Sequence, residues 1–361
     1  MTRPRHTYDV DGLVRIASAV VLPELAYFRA PLAAAPDLVV ERALVGGRWP
    51  RTRTDIVAEP DAVLWREHLG ALGANFRIDF RDPVRVGVGP LLALSPHVVY
   101  TNLVEPLVRF LLVTRGHMLL HAATVRLGGR TVMLSARTDT GKTSTILSLL
   151  AAHAGVFFSD DMVVLAASGE LTRYPKPLTI SAHTVHAMPR LRLGPASRLT
   201  LPVRSRLHSR EGRAAGKRLS EMNLPIMAMN AAVQAIVPPP KYRVTDLVPC
   251  RIGTRTAMDA IFLIERGPVE RLEPVPPDEA LEELLGNTDD AYGFPPYGSL
   301  ACHFRLDGLC HEELLRRERA ILRSALGDRP VTRIVAAGYG WADVIEEIAG
   351  LRVPEPVAAA S

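Results

Sequence analysis

The stretch SARTDTGKTS, residues 135–144, constrains the fold of this chain more than any other ten residues. The apolar run TVMLSA leads into it. ILSLLAAHAG follows, with apolar residues at spacings of three and four, so the order is strand, loop, helix. A second apolar run, VFFS, comes next and ends at Asp160 and Asp161. A strand, a Gly-Lys-Thr loop, a helix, a strand and an acidic pair in this order are what a phosphate-binding α/β unit needs.

Each residue type in that order has a chemical use. Backbone N–H groups of Ala136, Arg137, Thr138, Asp139, Thr140 and Gly141, and of the first helical turn from Lys142 to Ser144, form an anion cradle at the positive end of the helix dipole. Lys142 can reach the β- and γ-phosphates of a nucleotide, and Thr143 can offer its hydroxyl to Mg²⁺. Asp160 and Asp161 supply carboxylates to complete the metal shell or to accept a proton. The usual pattern, G-x-x-x-x-G-K-[ST], opens with glycine where this chain has Ala136. Alanine adds one methyl group and is tolerated wherever φ is negative, while Gly141, nearer the phosphates, is retained. The competing reading is an ordinary polar turn that contains Gly-Lys-Thr by coincidence.

Composition narrows the classes. A chain of 361 residues, 48% of them hydrophobic, has a substantial core and room for two or three subdomains. Cys250, Cys302 and Cys310 are too few for a disulfide framework, which favours a reducing compartment and a cytoplasmic protein. No apolar stretch follows the basic residues of MTRPRHTYDVDG, and no apolar run is long enough to span a bilayer, so secretion and membrane spanning are disfavoured. Net charge is +5, and residues 190–218 carry nine Lys or Arg against Glu211 alone. This segment is either a solvated basic loop or a partner for an acceptor that carries phosphate or carboxylate. It lacks aromatic residues on which bases could stack, which disfavours nucleic acid. A homo-oligomer is as compatible with the sequence as a monomer.

Residues 1–95 read as a β-rich accessory unit with short strands such as DLVVERALV, AVLWREHL, FRIDF and VRVGVG, and residues 96–361 as the loop-bearing domain. A helix over VVYTNLVEPLVRFLLVTRG, kinked at Pro106 and capped near Gly116, links them. HMLLHAATVRL and TVMLSA read as two strands joined by a GGR turn. PKPLTIS, YRVTDLVP, DAIFLIERG and TRIVAAGYG read as strands, and PDEALEELLGN and HEELLRRERAILRSALG as amphipathic helices. NTDDAYGFPPYG, residues 287–298, is dense in turn residues and reads as a lid, an acceptor loop or a plain loop. Cys302, His303, Cys310 and His311 could in principle ligate zinc, but their spacing fits no standard module.

Residues 119–165 resemble the core of the HPr kinase/phosphorylase family, whose nucleotide-binding fold is shared with phosphoenolpyruvate carboxykinase. The likeness rests on His121 before a strand, the loop from Ala136 to Thr143, and the Asp160-Asp161 pair. YPKPLTIS and LEPVPPDEALEELL carry a looser likeness to kinase-like relatives. The resemblance implies an α/β kinase domain with a mixed central sheet beside the β-rich N-terminal unit. It implies an ATP- and Mg²⁺-dependent kinase, with Lys142 and Thr143 on the nucleotide and metal, His121 beside the transferred phosphate, and the Asp pair dividing metal contact from deprotonation. Asp160 is favoured as the base. The acceptor hydroxyl belongs to a peptide or protein serine, or to a small metabolite such as a sugar or cyclitol. No counterpart of the HPr-engaging segment is present, so regulation through HPr is not implied. The alternative is a catalytically inactive nucleotide-sensing or scaffold protein.

Overall fold

A computed structural model describes residues 4–45, 54–69, 72–180, 225–293, 296–338 and 340–351. The basic segment 190–218 and the C-terminal VPEPVAAAS lie outside the described residues. The described part is a mixed α/β protein with three sheets. Among the described residues no helix is long and apolar enough to cross a membrane.

The first sheet holds β1 (His6–Val10), β2 (Val14–Ser18), β3 (Leu38–Arg42), β4 (Thr54–Glu59), β5 (Ala62–Leu69), β6 (Leu72–Gly73), β7 (Phe76–Asp79) and β8 (Val84–Val88). Its order is β1-β2-β3-β8-β7-β5-β4, with β6 added to β5. Alternation marks the strands β7 and β8, where Phe76 and Ile78, and Val84, Val86 and Val88, are buried at every second position. The helical segment behind it runs from Pro96–Val99 through a π-helical turn, Tyr100–Val104, into Glu105–Thr114. Pro106 has no N–H to give, and the π turn takes up the irregularity, with the Glu105 N–H reaching the Tyr100 carbonyl. Gly116, at φ +73, closes the helix with its N–H 3.1 Å from the Val113 carbonyl. Phe110 and Leu112 of this helix share one core with Val40 and Val86 of the first sheet and with Leu119, Met162 and Val164 beyond it.

Next come β9 (His117–Leu120), β10 (Ala123–Leu127), β11 (Arg130–Ser135), β12 (Val156–Ser159), β13 (Val163–Ala166), β14 (Glu170–Thr172), β15 (Arg251–Ile252), β16 (Arg255–Ala257), β17 (Ala260–Arg266), β18 (Arg271–Val275) and β19 (Val331–Ala336). They form a seven-stranded mixed sheet, β15-β12-β10-β11-β17-β19-β18, and a four-stranded antiparallel sheet, β16-β14-β13-β9. HMLLHAATVRL is therefore not one strand. It breaks at His121, with β9 in the small sheet and β10 in the large one, because Met118 and Leu120 fill one core while Ala123 and Val125 fill another. The GGR turn is a tight hairpin, with Leu127 opposite Arg130 and both Gly128 and Gly129 at positive φ.

Three further expectations change. Among its described residues, PKPLTIS forms an isolated bridge, Leu178 to Tyr242, and no strand. YRVTDLVP turns into a short helix, Val244–Leu247, since the Val244 N–H bonds the Tyr27 hydroxyl at 3.2 Å instead of a strand. The first half of NTDDAYGFPPYG is the end of the helix Pro277–Tyr292. Burial of Asn287 and Thr288 and a 2.8 Å bond from Thr288 Oγ1 to the Leu284 carbonyl hold these turn-prone residues helical.

Candidate active site

Two chain crossings create the site. β10 pairs with β12 and β9 with β13, so residues 121–122 and 160–162, where the chain passes from one sheet to the other, must lie side by side. The pairs Leu120 with Val163 and Thr124 with Ser159 flank them. His121 consequently faces Asp161, with Nε2 3.4 Å from Oδ1. His121 is buried at 2% exposure, and its Nδ1 donates to the Asn287 carbonyl at 2.7 Å. A carbonyl can only accept, so Nδ1 carries a hydrogen in this bond, and the ring is fixed with Nε2 towards the carboxylate, which it can bond only as a donor.

β11 and β12 point the same way, since both run antiparallel to β10, and β17 runs parallel to β11. The loop 136–141 and the acidic pair thus emerge at the same carboxyl edge of the sheet, where open α/β folds bind ligands. Gly141 stands at φ +135 as the N-cap of the helix Lys142–His153, without a side-chain cap, and a side chain would be strained there. Ala136 is not among the residues of positive φ, and its methyl is buried in the core. The loop is closed by Thr140 Oγ1 on the Arg137 carbonyl at 2.9 Å, and by Arg266 Nε on the Thr140 carbonyl at 2.9 Å. Ser144 and Thr145 hydroxyls return to the Gly141 carbonyl at 2.8 and 3.0 Å. Lys142 folds back over the loop, its Nζ 2.9 Å from the Ala136 carbonyl, and burial lowers its ammonium to about 8 against the opposing pull of Asp161 and Asp160.

Thr143 Oγ1 donates to Asp160 Oδ2 at 3.1 Å. Burial, reinforced by the charge of Asp161, pushes the Asp160 carboxyl up to about 7. Burial also acts to raise Asp161, but the Lys176 ammonium and His121 outweigh it and hold this carboxyl well below its usual range. Lys176 Nζ lies 2.6 Å from Asp161 Oδ2 and 2.5 Å from Glu105 Oε2, over the rings of Tyr100 and Tyr174. The Tyr100 and Tyr174 hydroxyls are themselves 2.9 Å apart.

The predicted residues His121, Lys142, Thr143, Asp160 and Asp161 thus come together, and Arg137, Thr138, Asp139, Thr140 and Ser144 form the loop and first turn beside them. Sequence reasoning missed Lys176, Glu105, Asn287 and Asp290, whose Oδ2 accepts the Thr138 N–H at 3.0 Å. Lys176 lies inside YPKPLTIS, so the looser family likeness was the available signal. Among the described residues no group of three or more His, Cys, Asp or Glu could hold a metal by itself. A cavity of about 440 Å³ opens elsewhere, lined by residues such as Asp37, Phe80, Arg115, Leu306 and Arg317, and shares no residue with the site.

No family model matches the chain, and no curated protein matches it. Among solved structures it is similar to the HPr(Ser) kinase/phosphatase from Coxiella burnetii, at 9% identity over 65% of this chain and 95% of that one, with a TM-score of 0.23. That likeness is distant, and no functional conclusion rests on it.

Proposed function

We propose that the chain is an ATP- and Mg²⁺-dependent phosphotransferase acting on an alcohol. The observation that carries this reading is the meeting, at one sheet edge, of an uncapped helix N-terminus bearing Lys142 with the Thr143–Asp160 contact of 3.1 Å. The free N–H groups of the first helical turn, with the Lys142 ammonium, suit the phosphates of a nucleotide. Asp160 fits the metal. Its negative charge is disfavoured by burial and by Asp161, a cost that a cation beside the Thr143 hydroxyl relieves. Two oxygen side chains plus substrate phosphates is also how Mg²⁺ is usually held. When bound, the ion neutralises charge on the phosphates.

Asp161, 44% exposed at its side chain and paired with Lys176, is then the group that orients the acceptor hydroxyl and takes its proton, a reversal of the role the sequence favoured for Asp160. Lys176 and His121 hold Asp161 in place, and the Asn287 carbonyl fixes the ring of His121. In this reading catalysis is chiefly positioning and charge stabilisation.

Calorimetry and turnover test it. Lys142→Ala weakens ATP binding by several-fold to about a hundredfold, the worth of a charge-assisted contact. Asp161→Asn leaves ATP affinity within about tenfold and lowers phosphoryl transfer, or ATP hydrolysis as the interim assay, by about a hundredfold or more. Equal nucleotide binding by wild type and Lys142→Ala puts the site elsewhere. Tight binding with no turnover in wild type, unchanged in Asp161→Asn, marks a sensor.

A further inference from the structure

Lys176 Nζ stands 2.6 Å from Asp161 Oδ2 and 2.5 Å from Glu105 Oε2, so one ammonium bridges two carboxylates. The two ends of the bridge differ. Glu105 and Lys176 are nearly closed to solvent, at 8% and 10% side-chain exposure, whereas Asp161 is 44% exposed. Lys176 lies between Pro175 and Pro177, outside any strand, so no ladder of backbone bonds fixes it. The fixed end is Glu105, the first residue of the buried helix Glu105–Thr114.

That helix is built to present the carboxylate. In an α-helix two residues five apart point about 140° away from each other, since each residue turns about 100°. Tyr100 and Glu105 are so spaced, yet both meet Lys176, because the π-helical turn Tyr100–Val104 closes with the Glu105 N–H on the Tyr100 carbonyl and brings them to one side. Nζ lies 5.7 Å from the centre of the Tyr100 ring and 5.8 Å from that of Tyr174. Two ring faces and the Glu105 carboxylate thus fix the ammonium that Asp161 contacts.

The Asp161 carboxylate is engaged at both oxygens, Oδ1 with His121 Nε2 at 3.4 Å and Oδ2 with Lys176. Without the charge of Glu105, Lys176 keeps one anionic partner, and that partner is the exposed one. The pair then gains hydration by moving outward together, which draws Asp161 off His121. We propose that Glu105 is a positioning residue, which through Lys176 keeps the Asp161 carboxylate seated on His121 and in a fixed place for the reacting hydroxyl. This rests on the phosphotransferase reading and adds the helix behind the π turn, remote in sequence from the loop, to the machinery of that site.

The test compares the full chain with its Glu105→Gln variant, which keeps the shape of the side chain and removes its charge. Glu105→Gln lowers kcat for ATP hydrolysis by about tenfold or more and leaves KM for ATP within about threefold. The calorimetric stoichiometry of a non-hydrolysable ATP analogue stays that of wild type, so lost folded protein does not account for the fall. In a Lys176→Met background the same change alters kcat by less than about threefold, because Glu105 acts only through the lysine. Crystals show Asp161 on His121 in wild type and off it in Glu105→Gln. An undiminished kcat, an equal loss in the Lys176→Met background, or an Asp161 contact with His121 that survives Glu105→Gln overturns the proposal. Should Glu105→Gln alone not fold, Lys176→Met with and without it decides. A wild type without turnover overturns the phosphotransferase reading instead, and the crystal comparison then still decides on Glu105.

Discussion

On the loop side of the acidic pair, most partners are close in sequence: Lys142 bonds Ala136, Thr140 bonds Arg137, and Ser144 and Thr145 bond Gly141, with Arg266 on Thr140 and Asp290 on Thr138 as the remote additions. On the opposite side they are remote, as in Lys176 with Glu105, Lys241 with Glu24, Arg173 with Asp11 and Val244 with Tyr27. The loop side draws most of its bonds from one strand and one helix. The other side exists only when the N-terminal unit is docked against residues 173–176 and 241–244. Damage to long-range packing should therefore spare nucleotide binding and remove action on an acceptor.

The largest effect should come from Arg109, which joins three helices in the core. Its guanidinium makes bonds of 2.7 and 2.6 Å to Glu318, both side chains being 1% exposed, and lies 4.2 Å from the centre of the Tyr292 ring. Arg109→Ala strands a buried carboxylate and should cost about 3–5 kcal/mol in denaturant unfolding, whereas Arg109→Met with Glu318→Leu should recover most of it. In the surviving folded protein ATP affinity should stay within about threefold. If nucleotide binding collapses while the protein remains folded, the loop side is not autonomous and the contrast between the two sides fails.

Two buried glutamates of the N-terminal unit sharpen the contrast at an intermediate scale. Burial acts to raise Glu24, yet His97 and Lys241 hold it down at about 2, while burial pushes Glu67, which has backbone N–H partners at Ala228 and Met227, up to about 7. The pH dependences therefore have opposite signs. Glu24 contributes stability that is present above its ordinary value of 4.5 and is lost as pH falls through about 2. Glu67 opposes folding once ionised, so stability falls as pH rises from 4.5 through about 7. Each shift corresponds to about 3–4 kcal/mol. Glu67→Gln keeps the acceptor for the Ala228 N–H and should stabilise the protein at pH 8 but not at pH 4. Glu24→Gln should destabilise it at pH 7 and flatten its acid limb. A Glu67→Gln protein with the pH profile of wild type would remove the claim that its charge is unfavourable.

The same division between local and remote partners explains what could be read from the sequence. The hairpin with Gly128 and Gly129, the order of β11, loop and helix, and β12 ending at the acidic pair all follow from periodicity and turn chemistry over short spans. The break of the chain at His121 was not legible, because both halves of HMLLHAATVRL are apolar and only the assembled cores assign them to different sheets. Lys176, Lys241 and Glu24 gave no signal of their own, since an isolated lysine or glutamate reads as a solvated charge until folding brings its partner from far along the chain. The helical state of residues 287–292 was hidden by their turn-like composition, which buried packing overrides.

The smallest effect should belong to Ala136, where the loop departs from the usual glycine. Because φ there is not positive, glycine is not required, and the carbonyl that Lys142 bonds is a backbone atom present in either residue. The methyl group is buried, at 2% residue exposure, in the core that also holds Ile146 and Leu150. Ala136→Gly loses that burial and loosens the unfolded chain, so it should lower stability by about 1 kcal/mol. Nucleotide affinity should change by no more than about fivefold, since the cradle is made by N–H groups that the substitution leaves in place. The effect should be confined to the loop side. An inactive wild type turned into an efficient kinase by Ala136→Gly alone would mean that the methyl obstructs the phosphates, and the chain would then be a sensor that one atom keeps from turnover.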